Sequence, residues 1–140
     1  MKVSITEGID FNLAEVISKS FVSKMPDAEA TLRAYINRSS LTYVGKVDDQ
    51  VACVCGVILP SLFSARAYLW MLTTDVADSH TFMLVRHSQM FIQKLLERFE
   101  VIAGHTEASQ ERSIKWLKWL GAKFGHPQGR MIPFEIIRHG

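Results

Sequence analysis

A chain of 140 residues, 48% hydrophobic and 21% charged, has the length and make-up of one globular domain, too apolar for disorder and too mixed for a fibre. Lys and Arg exceed Asp and Glu by a formal charge of only +2. The basic residues are scattered among acids, so no electrostatic footprint for nucleic acid stands out, and no apolar run approaches the roughly 18–20 residues that cross a bilayer.

The first residues, Met1 to Glu7, show no apolar signal region, and the alternation from Lys2 to Ile5 predicts a short strand. Asp10 stands as an N-cap before Leu13, Val16, Ile17 and Phe21, which recur at helical spacing. Pro26-Asp27 restarts the pattern for a second helix through Ala28, Leu32, Tyr35 and Ile36. Leu41 to Val47 and Val51 to Leu59, joined by Asp48-Asp49, predict a hairpin closed by Pro60. Cys53 and Cys55 fall on one face of its second strand, too close in sequence for a relaxed disulfide. They read as free buried thiols of a protein in a reducing cytoplasm.

Ala67 to Leu72 lacks polar alternation, as in a strand buried on both faces, and ends in Thr73-Thr74-Asp75. From Ser79 or His80 to Phe99 runs the longest helix, with Phe82, Val85, Ile92, Leu96 and Phe99 expected on its apolar side. Val101 to Thr106 follows as a strand. Ser109 is the expected cap of a last helix through Ile114, Trp116, Leu117 and Leu120 that stops at Gly121. Ala122 to His126 and Arg130 to Arg138 form a closing hairpin around Pro127-Gln128-Gly129. No repeat or linker interrupts this order, so residues 1–140 are expected to form a single domain.

The order β-α-α-β-β-β-α-β-α-β-β resembles the layout of the GNAT superfamily of N-acetyltransferases. Ser109 to Phe124 looks like that family's last helix running into its Leu-Gly-aromatic turn, here Leu120-Gly121-Ala122-Lys123-Phe124. The short format and Trp-rich helix look most like small GNAT-like proteins of short-tailed phages. The resemblance implies an α/β (α+β) fold with a mixed, mostly antiparallel central sheet and helices on both faces, and acetyl-CoA as cofactor.

The resemblance also places the cofactor's diphosphate at the loop after the fourth strand, usually glycine-rich, whose amides converge at a helix N-terminus. Here that place is Val76 to Thr81. It has no glycine, and Asp75 and Asp78 bring negative charge to it. The residues implied for cofactor binding are Leu72, Thr73, Asp78, Ser79, His80, Thr81 and Gln110. A backbone amide near Leu72 or Thr73 would polarise the thioester, and His80 would donate to phosphate. The tyrosine that often serves relatives as a general acid is replaced by Leu117.

An amine acceptor must lose a proton beside the thioester, and Asp75, His105 and Glu107, near the ends of the fourth and fifth strands, are the candidates. Asp75 also reads as turn punctuation and Glu107 as a first-turn carboxylate. His80 and His87, seven apart and so about 10 Å apart along a helix, cannot reach one ion. His126 and His139 have no Cys or His cluster around them, so no metal is expected.

Hydrolase, nucleotide-triphosphatase and zinc-protease motifs are absent. Two functions follow. One is an N-acetyltransferase acting on a protein or small-molecule amine. The other is an inactive GNAT-fold phage protein that docks a partner or builds a virion through its aromatic helix or a free sheet edge, with a homodimer among the assemblies it allows.

Overall fold

The computed structural model describes residues 2–138, apart from the side chains of Phe21, Lys24 and Thr81. Seven strands follow one another across a sheet in the order β1-β2-β3-β4-β5-β7-β6. They are β1 (Val3–Glu7), β2 (Leu41–Val47), β3 (Gln50–Ile58), β4 (Arg66–Thr73), β5 (Val101–Glu107), β6 (Lys123–Phe124) and β7 (Met131–Ile137). The helices are α1 (Leu13–Ser18), α2 (Ala28–Arg38), α3 (Asp75–Ser79), α4 (Thr81–Arg98) and α5 (Glu111–Trp119), with a 3-10 turn at Phe21–Lys24. The β1–β2, β2–β3, β5–β7 and β6–β7 pairs are antiparallel, and β4 pairs with β5 in parallel. The fold is mixed α/β on a mostly antiparallel sheet, as expected.

The described residues divide into two compact units, one holding the residues up to Ile58 with Trp70–Leu84, the other Leu59–Leu69 with the residues from Val85 on. In the first, Asp48 and Asp49 both take positive φ (49° and 69°). That is the geometry of the tight turn whose twist matches a hairpin, and Asp tolerates it better than most side chains. The β2–β3 register shifts between Gly45 and Lys46, which pair with Cys53 and Val51 and leave Ala52 as the extra residue of a bulge. Val47, Ala52, Ala77 and Leu84 form a buried cluster with Val3 and Val76 packed on it, so α3 and the start of α4 are anchored on this hairpin.

In the second unit, β5 lies between β4 and β7, paired from Val101↔Ile137 to Glu107↔Met131 on one side and from Arg66↔Val101 to Tyr68↔Ala103 on the other. Helix α5 ends with Gly121 at φ 90°. The Gly121 amide donates to Lys118 O (3.0 Å) and the Ala122 amide to Leu117 O (2.9 Å), the paired bonds of a Schellman stop that only glycine enters cheaply.

Several boundaries differ from the sequence reading. Helix α1 is capped by Asn12, whose Oδ1 accepts the Glu15 amide (3.1 Å), rather than by Asp10, and it ends at Ser18, short of Phe21. Gln110, not Ser109, precedes α5, without a side-chain cap bond. The closing hairpin is looser, because β6 is only Lys123–Phe124. On α4, Phe82 is 77% exposed, and the buried stripe is Leu84, Ser88, Ile92 and Leu95, continued by Phe99 just past the helix end. Steps of four, four, three and four keep that stripe on one side of a 3.6-residue helix, whereas choosing the bulkiest side chains drifts off it. His139 lies outside the described residues.

Candidate functional site

The end of β4 is held by one hydroxyl. Thr74 is buried, its amide donates to Ala52 O (2.9 Å), and its Oγ1 donates to Val51 O (2.7 Å), with Ala52 O at 3.3 Å. The same oxygen accepts the Val76 amide (3.3 Å) and so caps α3. The bulge in β3 thus supplies carbonyls that fix where β4 stops. Asp75 is tied on the other side, its amide donating to Lys19 O (2.9 Å).

From Thr74 the chain makes a short helix, α3, instead of an open loop. Asp75 and Asp78 are exposed on its first turn, where the macrodipole favours carboxylates. His80 ends α3, and its own carbonyl accepts the Leu84 amide (3.1 Å), so it is the single link between α3 and α4. Its Nδ1 lies 3.1 Å from Val76 O. A carbonyl cannot donate, so Nδ1 carries the proton there. The first-turn amides of α4, from Thr81 to Met83, stand at the positive end of an 18-residue helix.

A second polar group stands on β5. Tyr68 is opposite Ala103 in the parallel register, and side chains alternate along a strand, so Tyr68, Ala103, His105 and Glu107 share one face. Tyr68 Oη is 3.0 Å from His105 Nδ1, and the rings are tilted by 42° with centroids 5.7 Å apart. His105 is exposed and Glu107 half-buried. On the same face Arg66 pairs with Glu135. Behind His105, Gly104 is packed so closely that a Cβ would stand 2.7 Å from Leu69 O and 2.6 Å from Phe134 Cζ.

No family model matches the chain, and no curated protein matches it in sequence. Solved structures do match. A Bacillus subtilis acetyltransferase in complex with CoA has a TM-score of 0.73 at 13% identity, covering 99% of this chain and 100% of that one. A Desulfovibrio desulfuricans protein described as a GNAT-family acetyltransferase has a TM-score of 0.74 at 8% identity, covering 97% and 99%. The ribosomal-protein-S18-alanine N-acetyltransferase of Escherichia coli has a TM-score of 0.66 at 13% identity, covering 96% and 91%. The fold is the GNAT fold.

Against the glycine-rich loop that the GNAT resemblance implies, the segment here solves the turn differently. No residue from Thr74 to Thr81 has positive φ, so the missing glycines cost nothing in backbone strain, and a helical turn replaces the open loop. Leu72 is buried and Thr73 half-buried at the end of β4, with Asp78 and Ser79 exposed on α3. The Thr81 side chain lies outside the described part. His80 is placed differently from the sequence reading. With Nδ1–H held by Val76 O, a neutral ring offers only an accepting Nε2, and the imidazolium alone donates outward. The donor set that fits a diphosphate is therefore the α4 backbone, with His80 added when protonated.

His105 and Glu107 come together on the β5 face, whereas Asp75 belongs to α3 and Gln110 precedes α5. Tyr68 was missed, because the unbroken apolar run around it read as a strand buried on both faces. In fact Tyr68 and Thr73 are half-buried and Met71 is exposed. Reading the strand with period two would have put Arg66 and Tyr68 on one face. Leu117 is half-buried on α5 and has no proton to give. Trp116 beside it donates its indole N–H to Ser88 Oγ (2.8 Å), a packing bond. Among the described residues no three His, Cys, Asp or Glu side chains gather to hold a metal, and no helix is long and apolar enough to cross a membrane.

Proposed function

We propose that the protein is an acetyl-CoA-dependent N-acyltransferase that passes the acyl group directly to an amine. The observation that carries this reading is the match, over nearly the whole of both chains, to an acetyltransferase with CoA bound. The diphosphate is held by the first-turn amides of α4, and the backbone at Leu72 and Thr73 aligns the acyl arm. When bound, acetyl-CoA supplies an activated thioester carbonyl. His105 takes a proton from the ammonium of the acceptor, and Glu107, on the same strand face, favours the approach of that cation. The C–N bond then forms as the C–S bond breaks, and the second proton lost by the nitrogen reaches the leaving thiolate through water, since Leu117 has none to give.

The test is acetyl-CoA-dependent release of free thiol with a panel of primary amines. His105→Ala is expected to lower kcat/KM by about 10²–10⁴-fold, the usual contribution of a general base. An unchanged rate in that variant removes His105 from the chemistry, and no thiol release with any amine counts against the enzyme.

A second reading, a GNAT-fold docking module without activity, draws on α5, where Trp119 is 53% exposed beside the acid-less Leu117. It calls for a protein partner whose binding Trp119→Ala abolishes, in a chain that gains no stability from acetyl-CoA.

A further inference from the structure

The apolar run around Tyr68 hides it in the sequence, yet the structure holds its phenol against His105 Nδ1, the ring nitrogen whose protonation decides whether Nε2 is left bare to act as a base. Tyr68 and His105 sit on neighbouring strands fixed by the pairs Arg66↔Val101, Ala67↔Ile102 and Tyr68↔Ala103, so their 3.0 Å contact is set by backbone register. Among the described residues, the charged groups sharing the face of Tyr68 and His105 are Glu107 on β5, Glu135 on β7, Arg66 on β4, which is paired to Glu135, and Lys123 on β6, opposite Glu135, while Pro133 stands directly across from His105.

We infer that Tyr68 is a positioning residue that fixes the tautomer of His105. An exposed neutral imidazole carries one proton and can place it on either nitrogen, but only a ring with Nδ1–H and a bare Nε2 presents a base outward. With the phenol oxygen accepting Nδ1–H, that tautomer is held. The bond also has the same polarity after Nε2 takes a proton, because an imidazolium still donates from Nδ1, so proton uptake requires no rearrangement there. In the opposite tautomer the phenol would donate to Nδ1, and the hydroxyl would have to turn before the ring could accept a proton. The balance is simple: one proton leaves the ammonium for Nε2 and passes from there to solvent, while the Nδ1 proton stays where it is.

The catalytic part of this inference rests on the acyltransferase reading, but its structural part does not. Nitrogen-15 spectra of the intact protein, with His105 assigned by its loss in His105→Gln, report which ring nitrogen is protonated in the neutral ring. The wild type is expected to show a protonated Nδ1 and a bare Nε2, and Tyr68→Phe to shift the population toward protonated Nε2. In the acyl-transfer assay Tyr68→Phe is expected to lower kcat about tenfold or more, part of what a general base contributes, without changing KM for acetyl-CoA. A wild-type ring protonated at Nε2 overturns the inference even if the variant does not fold, as does an unchanged tautomer in a folded variant. Should the tautomers behave as expected while no amine is acetylated, the acyltransferase reading falls and the positioning of His105 stands.

Discussion

Thr74 concentrates several duties in one hydroxyl, since Oγ1 donates into the β3 bulge and receives the Val76 amide while the side chain is only 3% exposed. Thr74→Val keeps the shape and removes the bonds, so urea unfolding is expected to show a loss of about 1–2 kcal/mol, the cost of a lost cap and an unpaired buried carbonyl. Thr74→Ser should retain most of the stability, and equal losses in both variants would mean that packing rather than the hydroxyl matters. Gly104 is constrained by its neighbours. Leu69 O belongs to a paired strand and cannot step aside for a Cβ, so Gly104→Ala is expected to cost about 1–3 kcal/mol in the same experiment. The thiols differ from ordinary cysteines through burial, which pushes Cys53 up to about 11 despite a hydrogen bond with the Gly45 backbone, and raises Cys55 well above its usual value, with Cys53 adding to the effect. A raised folded-state value means that the stability these neutral thiols contribute is fully present below the ordinary pKa of 9.0 and is lost as pH rises through about 11. Alkylation near pH 8 should therefore be far slower in the native protein than in urea, and equal rates would contradict the burial. The free state of both and the burial of Cys55 were legible in two cysteines inside an apolar run, whereas Cys53 is half-buried by solvent exposure. The Tyr68–His105 contact was not, because a cross-strand partner depends on register, which one strand's sequence does not specify.

At the scale of elements, the sequence showed best where a local rule acts alone. The Asp48-Asp49 turn and the Gly121 stop are set by positive φ at named residues, and both fell where expected. Caps were harder to place, because Asp10 and Asn12, or Ser109 and Gln110, offer competing starts within two residues, and tertiary contacts choose between them. The segment after β4 departs furthest. It looked like an open loop handicapped by missing glycine, yet it folds as α3 because Thr74 caps it and Ala77 buries into the β2–β3 core. Glycine at position 78 would weaken a helical turn, so the informative variant is Asp78→Asn, which removes charge without freeing the backbone. It is expected to tighten acetyl-CoA binding by about two- to fivefold at low salt, the effect of one exposed charge near a phosphate, and to lose that advantage as salt rises. Unchanged affinity at low salt would place the diphosphate away from α3.

Over the whole molecule, the strand order and the mixture of parallel and antiparallel pairs reproduce a GNAT sheet at only 13% identity to the CoA-bound neighbour. The alternation of element types was enough to read that fold, since period-two and period-3.6 patterns survive when individual residues do not. The proposed site was less legible. Its amide donors are backbone atoms, and its carboxylates and histidines acquire roles only from their neighbours. The most direct measurement is calorimetric titration of the intact protein with acetyl-CoA, paired with its thermal unfolding. One molecule is expected to bind per chain and, at a hundred times Kd, to stabilise the fold by about 2.7 kcal/mol, raising the melting temperature by several degrees. Neither heat of binding nor a shift in melting at millimolar acetyl-CoA would contradict the transferase account.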